Sequence, residues 1–176
     1  LIQGVSFTKD TLTDDVTVTV GGTAFVTEWY ATAPVYGATA DDNWLESLMH
    51  ATALSYGTAP SVTMDLDVTT GQTYELQLLF SENSLQTADS RVFDILVEGV
   101  KIVGDFTTIP AGAEWTTAPH TGVLVTYQFT ATDSMASVVL TNGTSALIQA
   151  LTLEDITPVL PPESLIWLNY MDTDPT

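Results

Sequence analysis

Thr73-Tyr74-Glu75-Leu76-Gln77-Leu78-Leu79-Phe80 decides the fold class. In an extended chain Tyr74, Leu76, Leu78 and Phe80 share one face, while Thr73, Glu75 and Gln77 share the other, a period of two that marks a half-buried strand. The same alternation recurs outward from this segment, at residues 16–20, 24–30, 62–68, 92–97, 123–129, 137–140 and 147–153. Eight or more strands follow, separated by the turn pairs Gly21-Gly22, Thr70-Gly71, Glu98-Gly99, Pro110-Ala111-Gly112, Thr121-Gly122 and Asn142-Gly143. Of these, Asn142-Gly143 is the strongest hairpin signal, because both residue types tolerate the positive φ of a type I′ turn.

One helix is expected, over residues 41–54, with Asp41, Asp42 and Asn43 as its cap and Trp44, Leu45, Leu48 and Met49 on it. Many short strands without regular helix alternation predict an all-β, antiparallel sandwich of the jelly-roll kind. Residues 1–157 form that domain. Ile156-Thr157-Pro158-Val159-Leu160-Pro161-Pro162-Glu163 then reads as a stiff Pro-rich connector, so residues 158–176 stand apart. Within them Leu165, Ile166, Trp167, Leu168 and Tyr170 make a C-terminal strand apolar on both faces, which closes its own sheet or adds to a neighbour's.

The chain has 176 residues, 22 acidic against 3 basic, for a formal charge of −19, and 45% are hydrophobic. A mean hydropathy of +0.22 argues against a disordered chain in spite of that charge. Nucleic acid is excluded as a partner, since almost no cations are present to displace counterions from phosphates. No apolar run approaches the roughly 20 residues of a membrane helix, so membrane insertion is not expected. Cysteine is absent, which removes disulfides, thiol nucleophiles and thiolate metal sites. An acidic, Thr-rich, Lys-poor chain fits an extracellular setting with divalent cations or high salt.

Ser55-Tyr56-Gly57 with Ser61-Val62-Thr63-Met64-Asp65-Leu66-Asp67-Val68, the segment Tyr74 to Glu82, Arg91-Val92-Phe93-Asp94-Ile95-Leu96-Val97-Glu98-Gly99, and Ala150-Leu151-Thr152-Leu153-Glu154 come in a specific order and spacing. From about residue 56 to residue 154 the chain resembles the malectin and malectin-like family of β-sandwich carbohydrate-binding domains. The resemblance implies a sugar site of loop aromatics that stack on pyranose faces. By position Tyr56 matches one such aromatic and Tyr36 a second, with Trp115 and Trp44 as further platforms. Asn83, Asp89 and Asn142 are the candidate polar partners. The chain departs from the family at two points: Ser84-Leu85-Gln86 replaces adjacent loop aromatics, and Asn142-Gly143-Thr144 stands where an aspartate is expected.

Glu82 and Arg91 read as a structural ion pair that pins the loop between them. Glu82 with Asp94 is alternatively a glycosidase carboxylate pair, although an intervening arginine would keep both ionised and unable to act as acid. His50 and His120 sit in no metal or proton-transfer motif, and no nucleophile elbow or phosphate loop occurs. No cofactor is required. Calcium is the credible inorganic partner, with Asp10, Asp14 and Asp15, then Asp41 and Asp42, and the terminal Asp172 and Asp174, as candidate oxygen donors. Asn142-Gly143-Thr144 also fits a glycosylation sequon, but a tight hairpin explains it better. The expected function is a non-enzymatic extracellular module that binds carbohydrate or a surface glycan, or mediates adhesion. The alternative is a subunit of an extracellular fibre, sheath or adhesin, joined to copies of itself by strand addition, with calcium between subunits.

Overall fold

The computed structural model describes residues 3–6, 16–28, 37–82, 91–108 and 122–158. In chain order they form β1 (Gln3–Ser6), β2 (Val16–Glu28), α1 (Ala40–His50), β3 (Ala51–Asp67), β4 (Thr73–Phe80), β5 (Val92–Val97), β6 (Val100–Thr107), β7 (Val123–Thr130), β8 (Met135–Thr141), β9 (Ser145–Ile148) and β10 (Ala150–Asp155). Two antiparallel sheets result. One runs β1-β10-β4-β7; the other runs β2-β3-β8-β5-β6, with β9 also paired to β3.

The alternation in β4 has the consequence expected of it: Tyr74, Leu76, Leu78 and Phe80 are buried and their neighbours half-exposed. They meet Val62, Met64 and Leu66 of β3, Ala136, Val138 and Leu140 of β8, and Phe93, Ile95 and Val97 of β5 in a single core. Phe80, Phe93 and Phe106 pack as a tilted triad across the two sheets, with ring centroids 4.6–5.9 Å apart. This is the separation at which edge and face contacts add to plain burial.

Three sequence expectations need correction. Residues 16–20 and 24–30 are not two strands around a Gly21-Gly22 turn. Within the described residues, 16–28 are a single strand, β2, whose register against β3 shifts between Gly21 and Thr23; residues 29 and 30 lie outside the described residues. The helix ends at His50 rather than residue 54, because Ala51 already pairs with Glu28 of β2, and Ala53 and Leu54 are buried between β2 and β9. Its first turn is closed by Asn43 N–H donating to Thr39 O at 3.1 Å, so Asp41, Asp42 and Asn43 lie inside the helix rather than capping it.

The third correction concerns Asn142-Gly143. It is not a hairpin turn: β8 and β9 do not pair with each other, but lie end to end along β3, against Val62–Asp67 and Ala53–Tyr56. A two-residue turn with both central φ positive occurs instead at Glu98-Gly99 (51° and 72°), joining β5 to β6. The alternation did not mark β6 and β1 as separate strands.

Candidate functional site

The registers Phe80↔Val123, Val92↔Thr107 and Asp94↔Thr141 bring one set of strand ends to one end of the sandwich. There β3 makes an excursion. Tyr56 faces Thr23 and Ser61 faces Gly21, so four residues of β3 stand opposite Gly22 alone. Gly22 (φ 77°) permits this, since a Cβ would lie 2.8 Å from the carbonyl oxygen of Tyr56. Buried Ser55 closes the neck of the excursion: its Oγ donates to Gly21 O and accepts from Ser61 N at 3.0 Å. Gly57 (φ 90°) and Ala59 (φ 50°) turn the chain in the left-handed region. Tyr56 leaves this rigid base with 39% of its surface exposed.

Directly behind it lies a buried polar network. Arg91 Nε donates to Glu82 Oε2 at 2.6 Å, Arg91 Nη1 to Ser145 Oγ at 2.9 Å, and Thr108 Oγ1 to Glu82 Oε2 at 3.2 Å. Ser145 is the register partner of Tyr56. The planar guanidinium can serve two acceptors at fixed angles, which one ammonium could not do with the same geometry. Residues 83–90 therefore depart and return through a fixed pair.

A second carboxylate organises the other flank. Asp94 accepts from Lys101 Nζ at 2.6 Å, Asp105 N at 3.0 Å and Asn142 Nδ2 at 3.1 Å. Both Asp105 (φ 50°) and Asn142 (φ 59°) are left-handed non-glycine residues, and this carboxylate is what they share. Lys101, then the Asp105 amide and Asn142, hold the Asp94 carboxyl down to about 2, so it carries no proton at neutral pH. It cannot serve as a general acid there, which leaves only Glu82, bonded to Arg91 Nε and Thr108 Oγ1, for the acid role of a Glu82–Asp94 pair. Next to Asn142, the backbone of Gly143 crosses that of Val92: Thr144 N–H donates to Val92 O at 3.1 Å.

Of the sugar-site candidates, Tyr56 and Asn142 lie on neighbouring segments, Tyr56 being paired with Ser145, three residues beyond Asn142. Asn142 is exposed, but its amide nitrogen is committed to Asp94, which also disfavours the sequon as an acceptor. Tyr36, Asn83, Asp89 and Trp115 lie outside the described residues, as do Asp10, Asp14, Asp15, Asp172, Asp174 and His120. So do Leu165, Ile166, Trp167, Leu168 and Tyr170 of the assembly strand. Trp44 lies on α1, 53% exposed. Asp41 and Asp42 occupy consecutive positions of α1. Among the described residues no three His, Asp or Glu side chains group closely enough to hold a metal ion, and no helix is long and apolar enough to cross a membrane.

Sequence reasoning passed over Gln149. Its fully buried amide accepts from Ser81 N at 2.6 Å and donates to Ser81 O at 2.6 Å and Thr52 Oγ1 at 3.2 Å. The one signal available was a lone amide inside the apolar run of residues 146–151.

The family model described as Malectin domain matches residues 2–144. The chain belongs to the malectin domain family. Among solved structures, this malectin domain is similar to the ANX1 ectodomain from Arabidopsis thaliana, at 12% identity and TM-score 0.63, over 90% of the chain and 42% of that structure. It is similar to FER in a complex with the plant peptide RALF23 and LLG2, at 14% identity and TM-score 0.55, over 77% of this chain and 40% of the other. It is also similar to a calcium-binding mutant of Bacteroides uniformis beta-glucuronidase 2, at 12% identity and TM-score 0.59, over 89% and 18%. At these identities the likeness is one of fold. The chain spans about two fifths of the length of the plant ectodomains it matches. A comparison with curated protein sequences finds no significant match.

Proposed function

We propose that this malectin domain is a non-enzymatic extracellular module that binds carbohydrate at the end of the sandwich that carries Tyr56. The observation that carries this reading is Tyr56 itself: an exposed aromatic on a strand excursion whose neck is hydrogen-bonded, paired with Ser145, which accepts from the buried Arg91–Glu82 pair. A pyranose ring offers an apolar C–H face to such a ring, and a platform held rigid before binding loses little entropy on association. Asn83 and Asp89 belong to the stretch between Glu82 and Arg91, and Trp115 to that between Thr108 and Gly122. In this reading Tyr36 and Trp115 widen the platform, and Asn83, Asp89 and the amide oxygen of Asn142 select hydroxyl groups. The FER complex with RALF23 supports a binding role for the fold more broadly.

A glycan array followed by titration calorimetry tests this. At least one glycan should be retained, and Tyr56→Ala should weaken its binding at least tenfold with an unchanged melting temperature. An array with no retained glycan, or equal affinity in Tyr56→Ala, overturns the reading.

A further inference from the structure

The two sheets, among the described residues, end in four edge strands: β1 and β7 in one, β2 and β6 in the other. Three carry features that discourage further pairing. β1 has only four residues, β2 is broken at Gly21/Thr23, and β6 shifts register twice against β5 and bears Lys101 and left-handed Asp105. β7 has none of these. Its eight residues, Val123-Leu124-Val125-Thr126-Tyr127-Gln128-Phe129-Thr130, include no charge, proline or glycine, and pair with β4 in unbroken register. Among the described residues, 123–130 make no backbone hydrogen bond outside that ladder. A flat, uncharged edge of this length is a template for another strand.

On its core side Phe129 is buried against Tyr74, and Val123, Val125 and Tyr127 pack on the core but stay half-buried; on the other side Leu124 is 53% exposed beside the exposed Thr126, Gln128 and Thr130. A strand that completes this edge needs apolar residues on its core side and one that covers Leu124.

The chain supplies one at the right place. Beyond β10, Ile156 N donates to Thr73 O at 2.8 Å and Thr73 N to Thr157 Oγ1 at 2.7 Å, so the backbone has reached the start of β4. Thr73 is the partner of Thr130, the last residue of β7. The chain stands there in line with β10, so a further strand beside β7 lies three strand spacings away, across β4 and β7, about 14 Å. Residues 158–164, with Pro158, Pro161 and Pro162, reach about 20 Å when extended. Leu165-Ile166-Trp167-Leu168-Asn169-Tyr170-Met171 is then seven uncharged residues against the eight of β7.

We propose that residues 165–171 add to the free edge of β7 as an antiparallel fifth strand of that sheet, within the same chain. Entering at Thr130 and running toward Val123 makes the pairing antiparallel, the more stable kind. The short connector holds the segment at an effective concentration on the order of millimolar, which favours its own chain over a second copy.

Amide exchange in the full 176-residue chain tests the pairing. Alternate amides of β7, those pointing away from β4, should be protected at least 100-fold in the wild type and lose that protection in Leu168→Pro. Equal, fast exchange in both overturns the proposal. Because the chain has no cysteine, Thr126→Cys combined with a second cysteine scanned through residues 165–171 adds a direct reading. A disulfide within the monomer supports the proposal. A disulfide-linked dimer, or no disulfide at any position, overturns it, the former in favour of strand exchange between copies.

Discussion

Gly143 shows how one residue type can be required for a reason other than the expected one. Its φ is not positive, but a Cβ there would lie 1.6 Å from Val92 O, inside a backbone crossing that has no room to open. Gly143→Ala should cost at least about 3 kcal/mol in a denaturant midpoint series, by forced backbone displacement. Gly71 is the contrast. Its φ is 83° and a Cβ there would meet nothing within 4 Å, so Gly71→Ala should cost only about 1–2 kcal/mol, the left-handed penalty alone. From the sequence both glycines look like turn residues, because a close approach between distant backbones leaves no local mark. Asp94 gives a pH prediction at the same scale. Its folded pKa, about 2, lies below the usual carboxylate range, so the unfolded chain takes up the proton first as pH falls. The stabilisation is complete above about pH 5 and is lost from about pH 4 down through about 2. Melting temperatures of wild type and Asp94→Asn should therefore differ most near pH 6 and converge toward pH 2, the other carboxylates cancelling in the comparison.

Gln149 works on whole elements. It stands at the bend where the chain leaves β9, in the larger sheet, for β10, in the smaller, and its side chain bonds both backbone groups of Ser81 at the end of β4. Gln149→Leu keeps the volume near its original value but removes both side-chain bonds to the buried Ser81 backbone. It should destabilise by about 2–4 kcal/mol in equilibrium unfolding, each lost buried bond costing about 1–3 kcal/mol. Gln149→Glu should make stability depend on pH in the opposite sense to Asp94, since only the protonated acid can donate to Ser81 O. The strands of the core were legible in the sequence because β4 and β8 each bury one face and alternation records that directly. The end of α1 was not. Leu45, Leu48 and Met49 keep a helical spacing that Ala53 and Leu54 continue, and only pairing with β2 and β9 turns residue 51 onward into a strand.

For the molecule as a whole, charge is the dominant surface property. Among the described residues both cations are spent on internal carboxylates, Arg91 on Glu82 and Lys101 on Asp94, which leaves the remaining acids to repel one another. Salt should stabilise the fold: raising sodium chloride from about 10 to about 200 mM, which shortens the screening length from about 30 Å to under about 10 Å, should raise the melting temperature by several degrees. A flat or falling curve would show that the acids are already neutralised in pairs. The sequence by itself determined the all-β class, the absence of disulfides, the acidic surface, the strands that fill the core, and through its motifs the malectin family. Each of these follows from local alternation, composition or short spacings. The tertiary structure alone decided that Asn142-Gly143 continues along β3 rather than reversing, that Ser145 and Thr108 join Glu82 and Arg91, that Gln149 carries the chain between sheets, and that β7 is left as an open edge among the described strands. Those depend on which strand lies beside which. Pairing between segments tens of residues apart is selected by the fit of the whole core, and no stretch of chain records it alone.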